Sequence, residues 1–206
     1  MAAALARGRA DEIAVGGEFA LTWRDFNTVA QLLFEMSGIR LTEAKASLVY
    51  SRLAKRVRAL QLGDFSAYCD HVLGGAGADE RRELLNALTT NVTAFFREPH
   101  HFRDLADGEA EKLRQVATSG GRVRLWSAGC SAGHEPYSAA MALLSVFPDA
   151  ARYDVRILAT DIDTQVIRRA SEGLYSDADV DPVPSAFKSR WLNRVEDGWS
   201  VAREVR

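Results

Sequence analysis

At 206 residues, with 47% of them hydrophobic, the chain is long enough for one sizeable domain or two small ones and can bury a core of its own. A formal net charge of -2 at pH 7 excludes recruitment of nucleic acid or an acidic membrane by bulk charge, so electrostatic recognition has to come from a local patch. The two cysteines, Cys69 and Cys130, lie far apart in a chain without a secretory pattern, which points to free thiols in a reducing cytoplasm rather than to a disulfide scaffold.

The opening residues are too short on apolar length, and too soon followed by Asp11 and Glu12, for a signal peptide or a membrane span. Residues 1 to about 20 are expected to form a flexible tail. From Asp25 the spacing of Phe26, Val29, Leu32 and Leu33 predicts a helix that stops at Gly38. Thr42 is the expected cap of a second helix, with Val49, Leu53, Val57 and Leu60 as its buried stripe and Gly63 as its end. At about 100° per residue, Lys45, Arg52 and Arg56 fall in one row beside that stripe, a candidate binding face or an ordinary solvated one. Phe65, Tyr68 and Val72 predict a third helix, Gly74 to Gly77 a loop, and Glu80 to Leu88 a fourth helix. Residues 21–90 therefore read as an all-α domain and 91–118 as a linking helical region, with its helix at about 100–117.

After Ser119-Gly-Gly121 the pattern changes to α/β. Arg122 to Trp126 alternates as a strand, Ser127 to Gly133 is a turn, Glu135 to Phe147 a helix, Asp154 to Ala159 a second strand, and Thr164 the cap of another helix. Strands alternating with helices predict a parallel sheet whose ligand sits beyond the carboxyl ends of the strands. In the turn, Gly129, Ser131 and Gly133 let a ligand approach the backbone beside a helix N-terminus. Asp161 follows the second strand, where a carboxylate can accept both hydroxyl protons of a ribose. Together they suggest an adenosine-containing cofactor; the other reading is a tight turn with an aspartate that caps a helix. No Lys-Ser/Thr follows the turn as in a phosphate-binding P-loop.

Three segments carry a more specific signal: Leu88-Thr-Thr-Asn-Val-Thr-Ala-Phe-Phe-Arg-Glu-Pro-His-His-Phe102, Trp126-Ser-Ala-Gly-Cys-Ser-Ala-Gly-His-Glu-Pro-Tyr-Ser138 and Ala159-Thr-Asp-Ile-Asp-Thr164. In order and spacing they resemble the signature segments of the CheR family of S-adenosyl-L-methionine (SAM)-dependent chemoreceptor glutamate methyltransferases. The resemblance runs from about Phe26 to the C-terminus. It implies an N-terminal helical domain followed by a partial Rossmann-like SAM-dependent methyltransferase domain over 119–206, with a β-subdomain beginning at 191–206. It also implies that family members continue beyond residue 206 with further core strands, so that this chain is a C-terminally truncated member with weakened or incomplete catalysis.

The same resemblance implies SAM as cofactor and the acidic helical methylation region of a methyl-accepting chemotaxis receptor as partner, without nucleic acid or membrane insertion. Asn91, Thr93 and Arg97 would line the mouth of the pocket, Arg97 meeting the carboxylate of SAM or of the receptor glutamate as the catalytic contact. Glu135 and Asp161 would be SAM-binding acids, and Lys45, Arg52 and Arg56 would dock the receptor. Ala132 and His134 depart from the Thr and Glu usual in the family, and His134 is expected to be a solvated substitution. Adjacent His100 and His101 have no metal-site spacing. A non-catalytic receptor-binding module and a poorly folding remnant are the alternatives in other classes.

Overall fold

The computed structural model describes residues 10–206, which divide between Thr90 and Asn91 into two compact units. In the first, helix α1 (Trp23–Ser37) opens with a reciprocal capping box between Thr22 and Asp25 and closes at Gly38. Helices α2 (Ala46–Ala59), α3 (Phe65–Leu73) and α4 (Ala78–Leu88) follow. Their apolar stripes, led by Phe26, Leu53, Phe65 and Leu84, meet in one core. Thr42 does not cap α2 directly: it precedes a 3₁₀ turn, Glu43–Lys45, makes no side-chain capping bond, and the α-helix begins only at Ala46.

The expected tail is corrected in its described part. Ile13–Val15 (β1) pairs antiparallel with Leu21–Thr22 (β2), the Trp23 amide donates to the Glu12 carbonyl at 3.1 Å, and Leu21 is fully buried. An ion pair between Glu18 and Arg58 ties the hairpin loop to α2. Burial of Leu21 and the strand bonds offset the entropy of ordering this segment. Residues 1–9 of the tail lie outside the described residues.

The basic row on α2 is also not free. The Arg52 guanidinium donates to the Ala87 and Thr89 carbonyls at 3.2 and 2.6 Å, satisfying two carbonyls at the end of α4 that the helix leaves without intrahelical partners. Arg56 pairs with Glu80 of α4. Both arginines are half-buried fasteners within the unit, whereas Lys45 is exposed.

In the second unit the helix expected over 100–117 is interrupted. Pro99–Arg103 (α5) passes into a π-helical stretch, Asp104–Glu109, before Ala110–Thr118 (α6). Strands β3 (Val123–Ala128) and β4 (Val155–Thr160) pair in parallel, in register from Val123↔Val155 to Ala128↔Thr160. Helices α7 (His134–Val146) and α8 (Thr164–Glu172) follow the two strands. Helix α8 is capped by Asp163, whose carboxylate accepts from the amides of Gln165 and Val166; Thr164 is its first helical residue.

One face of the β3–β4 pair, carrying Val123, Leu125 and Val155, joins an apolar core with Met141, Leu143 and Phe147. The other face presents the register pairs Arg124–Arg156 and Trp126–Leu158 to solvent. Beyond α8 come the two-residue strand β5 (Leu174–Tyr175), the short helices α9 (Asp177–Val180) and α10 (Ser185–Trp191), and strands β6 (Leu192–Val195) and β7 (Gly198–Val201). These strands form an antiparallel sheet in the order β5-β7-β6, which therefore starts at Leu174.

Candidate cofactor site

The turn after β3 is bonded to the end of β4: the amides of Gly129 and Cys130 both donate to the Thr160 carbonyl, at 2.8 and 2.9 Å. The turn takes a left-handed conformation three times, at Gly129 (φ 78°), Ser131 (φ 48°) and Gly133 (φ 89°). Gly133 is required twice over, because a Cβ there would lie 2.9 Å from the Tyr175 hydroxyl and 3.0 Å from Ala170 Cβ. At Gly129 the corresponding position is open space, leaving room above the backbone at the head of α7.

Asp161 stands at the carboxyl end of β4, and its carboxylate is held by backbone on both oxygens. The Ser131 amide donates to Oδ2 at 2.8 Å and the Asp163 amide to Oδ1 at 2.9 Å. Each oxygen keeps acceptor capacity beyond these bonds. The Ser131 hydroxyl donates to the Asn91 carbonyl at 3.1 Å, and Asn91 Nδ2 donates to Asp163 Oδ2 at 2.6 Å. Glu135, in the first turn of α7, is exposed and accepts from the Ser127 hydroxyl at 2.5 Å. Its charge suits the helix N-terminus.

Arg97 projects from a loop with left-handed backbone on both sides, at Phe96 (φ 53°) and Glu98 (φ 55°). Such conformations cost on the order of 1 kcal/mol each outside glycine. Here they turn Arg97 to solvent while Phe96 stays packed against Phe102 and Phe187. Arg97 donates to the Val92 carbonyl at 3.1 Å and pairs with no carboxylate among the described residues. Thr93 is half-buried in the same loop. Hydrogen bonds thus link Asn91, Ser131 and Asp161 in one network and fasten Glu135 through Ser127, while Thr93 and Arg97 stand outside both.

His134 corrects an expectation. It is 4% exposed, its ring lying against Phe95 and Tyr175 with centroids 4.7 and 4.9 Å away. Its Nδ1 has no hydrogen-bond partner. Burial holds the imidazole below its ordinary pKa, opposed by Asp179 and reinforced by Arg169. Only the tertiary fold brings Tyr175 over the start of α7, so a sequence window around His134 carries no sign of its burial.

Three further residues escape a reading by motif. Ser127 is a polar residue at an inward strand position, which alternation alone singles out. Asp163 precedes Thr164, and the preference of aspartate for helix N-caps was available to identify it. Tyr175, whose hydroxyl donates to the Ala132 carbonyl at 2.6 Å, had no local signal. A cavity of about 490 Å³, lined by Tyr137, Leu144, Ile157 and Ile167 among others, reaches Cys130 and Gly133 of the turn but none of Asn91, Glu135 or Asp161.

A parallel strand pair with a glycine turn, a helix N-terminus and an acid after the second strand defines a Rossmann-like cofactor domain. Comparison with known proteins makes this specific. Residues 91–206 match "CheR methyltransferase, SAM binding domain" and residues 24–89 match "CheR methyltransferase, all-alpha domain". The chain belongs to the CheR methyltransferase family.

It is 50% identical over 165 residues to a probable chemotaxis protein methyltransferase of Rhizobium etli, a match covering 80% of this chain and 62% of the relative. Chemotaxis protein methyltransferase 2 of Pseudomonas aeruginosa is 42% identical over 179 residues, covering 86% and 61%. The chemotaxis protein methyltransferase of Escherichia coli is 40% identical over 157 residues, covering 76% and 52%. The chain spans between half and two thirds of the length of these relatives.

Proposed function

We propose that this chain is the receptor-docking and SAM-binding part of a methyltransferase that esterifies glutamate side chains of methyl-accepting chemotaxis receptors. The observation that carries the reading is the Asp161 carboxylate, fixed by two backbone amides at the end of β4 beside a glycine turn with open space above it. A carboxylate held in this way can accept from a ribose diol, and Glu135 and the N-terminus of α7 follow the same turn. When bound, SAM supplies an electrophilic methyl group.

A receptor glutamate is already ionised at neutral pH, so the site needs no general base. Its own residues have to bind, orient and exclude water, contributions that reach several kcal/mol in aligned reactions. Arg97, exposed and without an acidic partner among the described residues, is the proposed catalytic contact. Its planar fork suits a carboxylate. Asn91, Thr93, Gly129, Ser131, Gly133, Glu135 and Asp161 are proposed to line the cofactor.

For docking on an acidic receptor helix, Lys45 is the cation of its row that the fold leaves exposed. Arg52 and Arg56 act mainly by holding α2 to α4. Two free, buried cysteines accord with a cytoplasmic location. No helix among the described residues is long and apolar enough to cross a membrane.

The test is calorimetric titration of the chain with S-adenosylhomocysteine, followed by methyl transfer to a receptor cytoplasmic fragment with alkali-labile ester as readout. One-site binding abolished by Asp161→Ala, with methanol released from the labelled receptor by alkali, is the expected result. A folded chain that binds no S-adenosylhomocysteine refutes the cofactor assignment. Alkali-stable label refutes the glutamate ester.

A further inference from the structure

Asp163 has been given only the role of cap to α8, yet it is 2% exposed and joins several parts of the site. An aspartate needed only as a helix cap would use one oxygen. Here Oδ1 accepts from the Gln165 and Val166 amides at 2.8 and 3.4 Å. The second oxygen, Oδ2, accepts from Asn91 Nδ2 at 2.6 Å, across 72 positions of sequence. The ring closes through Asp163 N–H to Asp161, Ser131 N–H to Asp161, and the Ser131 hydroxyl to the Asn91 carbonyl. Three separate segments, the loop before α5, the turn after β3 and the end of β4, are thereby held together at the cofactor end of the sheet.

We propose that Asp163 is a positioning residue for the cofactor pocket, acting through the side-chain amide of Asn91. The inference rests on the cofactor reading above. A buried carboxylate accepts and does not donate, so only the NH₂ end of the Asn91 amide satisfies it. Asp163 therefore fixes both the place of Asn91 and its orientation, reserving the amide oxygen as an acceptor for an N–H or O–H donor of the ligand. The bond to Asp161 comes from the Asp163 backbone and is independent of the side chain. Side-chain substitutions consequently separate the Asn91 function from the rest of the ring.

The test is a double-mutant cycle on the 206-residue chain, reading S-adenosylhomocysteine affinity and melting temperature together. Asp163→Ser keeps a good N-cap for α8 but is too short to reach Asn91. It is expected to melt near the parent and to bind S-adenosylhomocysteine about tenfold more weakly or worse, because small displacements at a site carry penalties of that size. In an Asn91→Ala background the same substitution is expected to change affinity little, since the group it acts through is gone. Asp163→Asn, which keeps the size of the side chain, is the second variant and is expected to weaken binding similarly, its amide setting N–H against N–H. Unchanged affinity in both folded variants, or an equal loss with and without Asn91, overturns the inference and leaves Asp163 a helix cap. A parent chain that binds no S-adenosylhomocysteine overturns the cofactor reading and this inference with it.

Discussion

Arg56 and Glu80 form a two-point pair across helices α2 and α4: Nε donates to Oε1 at 3.0 Å and Nη2 to Oε2 at 2.6 Å. The Tyr68 hydroxyl also donates to Glu80 Oε1, at 2.9 Å, and Glu80 is only 6% exposed. Removing the arginine would leave a buried carboxylate with one neutral donor. Arg56→Ala is therefore expected to cost about 3 kcal/mol and Tyr68→Phe about 1 kcal/mol, both read from urea unfolding. Equal unfolding midpoints for parent and Arg56→Ala would refute the structural role.

Lys45 supplies the contrasting case. It is exposed, so Lys45→Glu should leave the unfolding midpoint within about 0.5 kcal/mol of the parent. If the row docks an acidic receptor helix, the same change should weaken binding of a receptor fragment, with an effect that shrinks as salt is raised. Unaltered binding at low salt would remove Lys45 from the interface.

Gly133 and Gly129 should respond differently to alanine. At Gly133 the left-handed backbone and the close approaches of Tyr175 and Ala170 combine, so the cost is expected at about 2–4 kcal/mol. At Gly129 only the backbone term applies, about 1–2 kcal/mol, but the new methyl occupies the space above the turn. Gly129→Ala should thus remain folded in thermal melts and lose S-adenosylhomocysteine affinity.

His134 makes stability depend on pH. Its folded-state pKa is lowered from 6.5, chiefly by burial. In the window between the two values the unfolded chain binds more protons than the folded one. The stability contributed by the neutral ring is complete above pH 6.5 and is lost as pH falls toward the lowered value. Asp179, at 3.9 Å from Nε2, limits the loss and Arg169 adds to it. Melting temperatures between pH 7.5 and 5 should fall less for His134→Gln than for the parent; parallel curves would show that His134 does not titrate on unfolding.

Both thiols are sheltered. Burial, aided by nearby carboxylates, pushes Cys69 up to about 12 and Cys130 upward as well, so little thiolate exists at neutral pH. Neither should react with a chromogenic disulfide reagent before unfolding, whereas two thiols should appear in denaturant.

Helical and strand periodicities located α1, α3, α4 and the parallel strand pair, because each has a one-sided apolar pattern that the core then uses, whereas α7, buried at four consecutive positions from Met141 to Leu144, was legible as an apolar run between a glycine turn and the next strand. Asp161 and the glycine turn were legible because an acid after a strand and small residues in a turn have local causes. The hairpin at Ile13–Thr22 and strand β5 are two or three residues long, too short for an alternation to register. The fates of Arg52, Arg56 and His134 depend on partners 24 to 41 positions away, and helical-wheel geometry sees only their own helix. Asp163 was eclipsed by Thr164 because both are good caps and only the backbone path decides between them.

The outward face of the β3–β4 pair carries Trp126, 70% exposed, with its indole N–H bonded across the sheet to the Thr160 hydroxyl at 2.9 Å. Trp191 is buried, and Trp23 and Trp199 are half-buried. The chain therefore contains its own optical probe: long-wavelength tryptophan emission comes chiefly from a ring one residue along the strand from Ser127 and hydrogen-bonded to the residue before Asp161. Anything that settles on that face, whether protein or solvent additive, will be recorded as a blue shift and as protection from a soluble quencher, without any label attached.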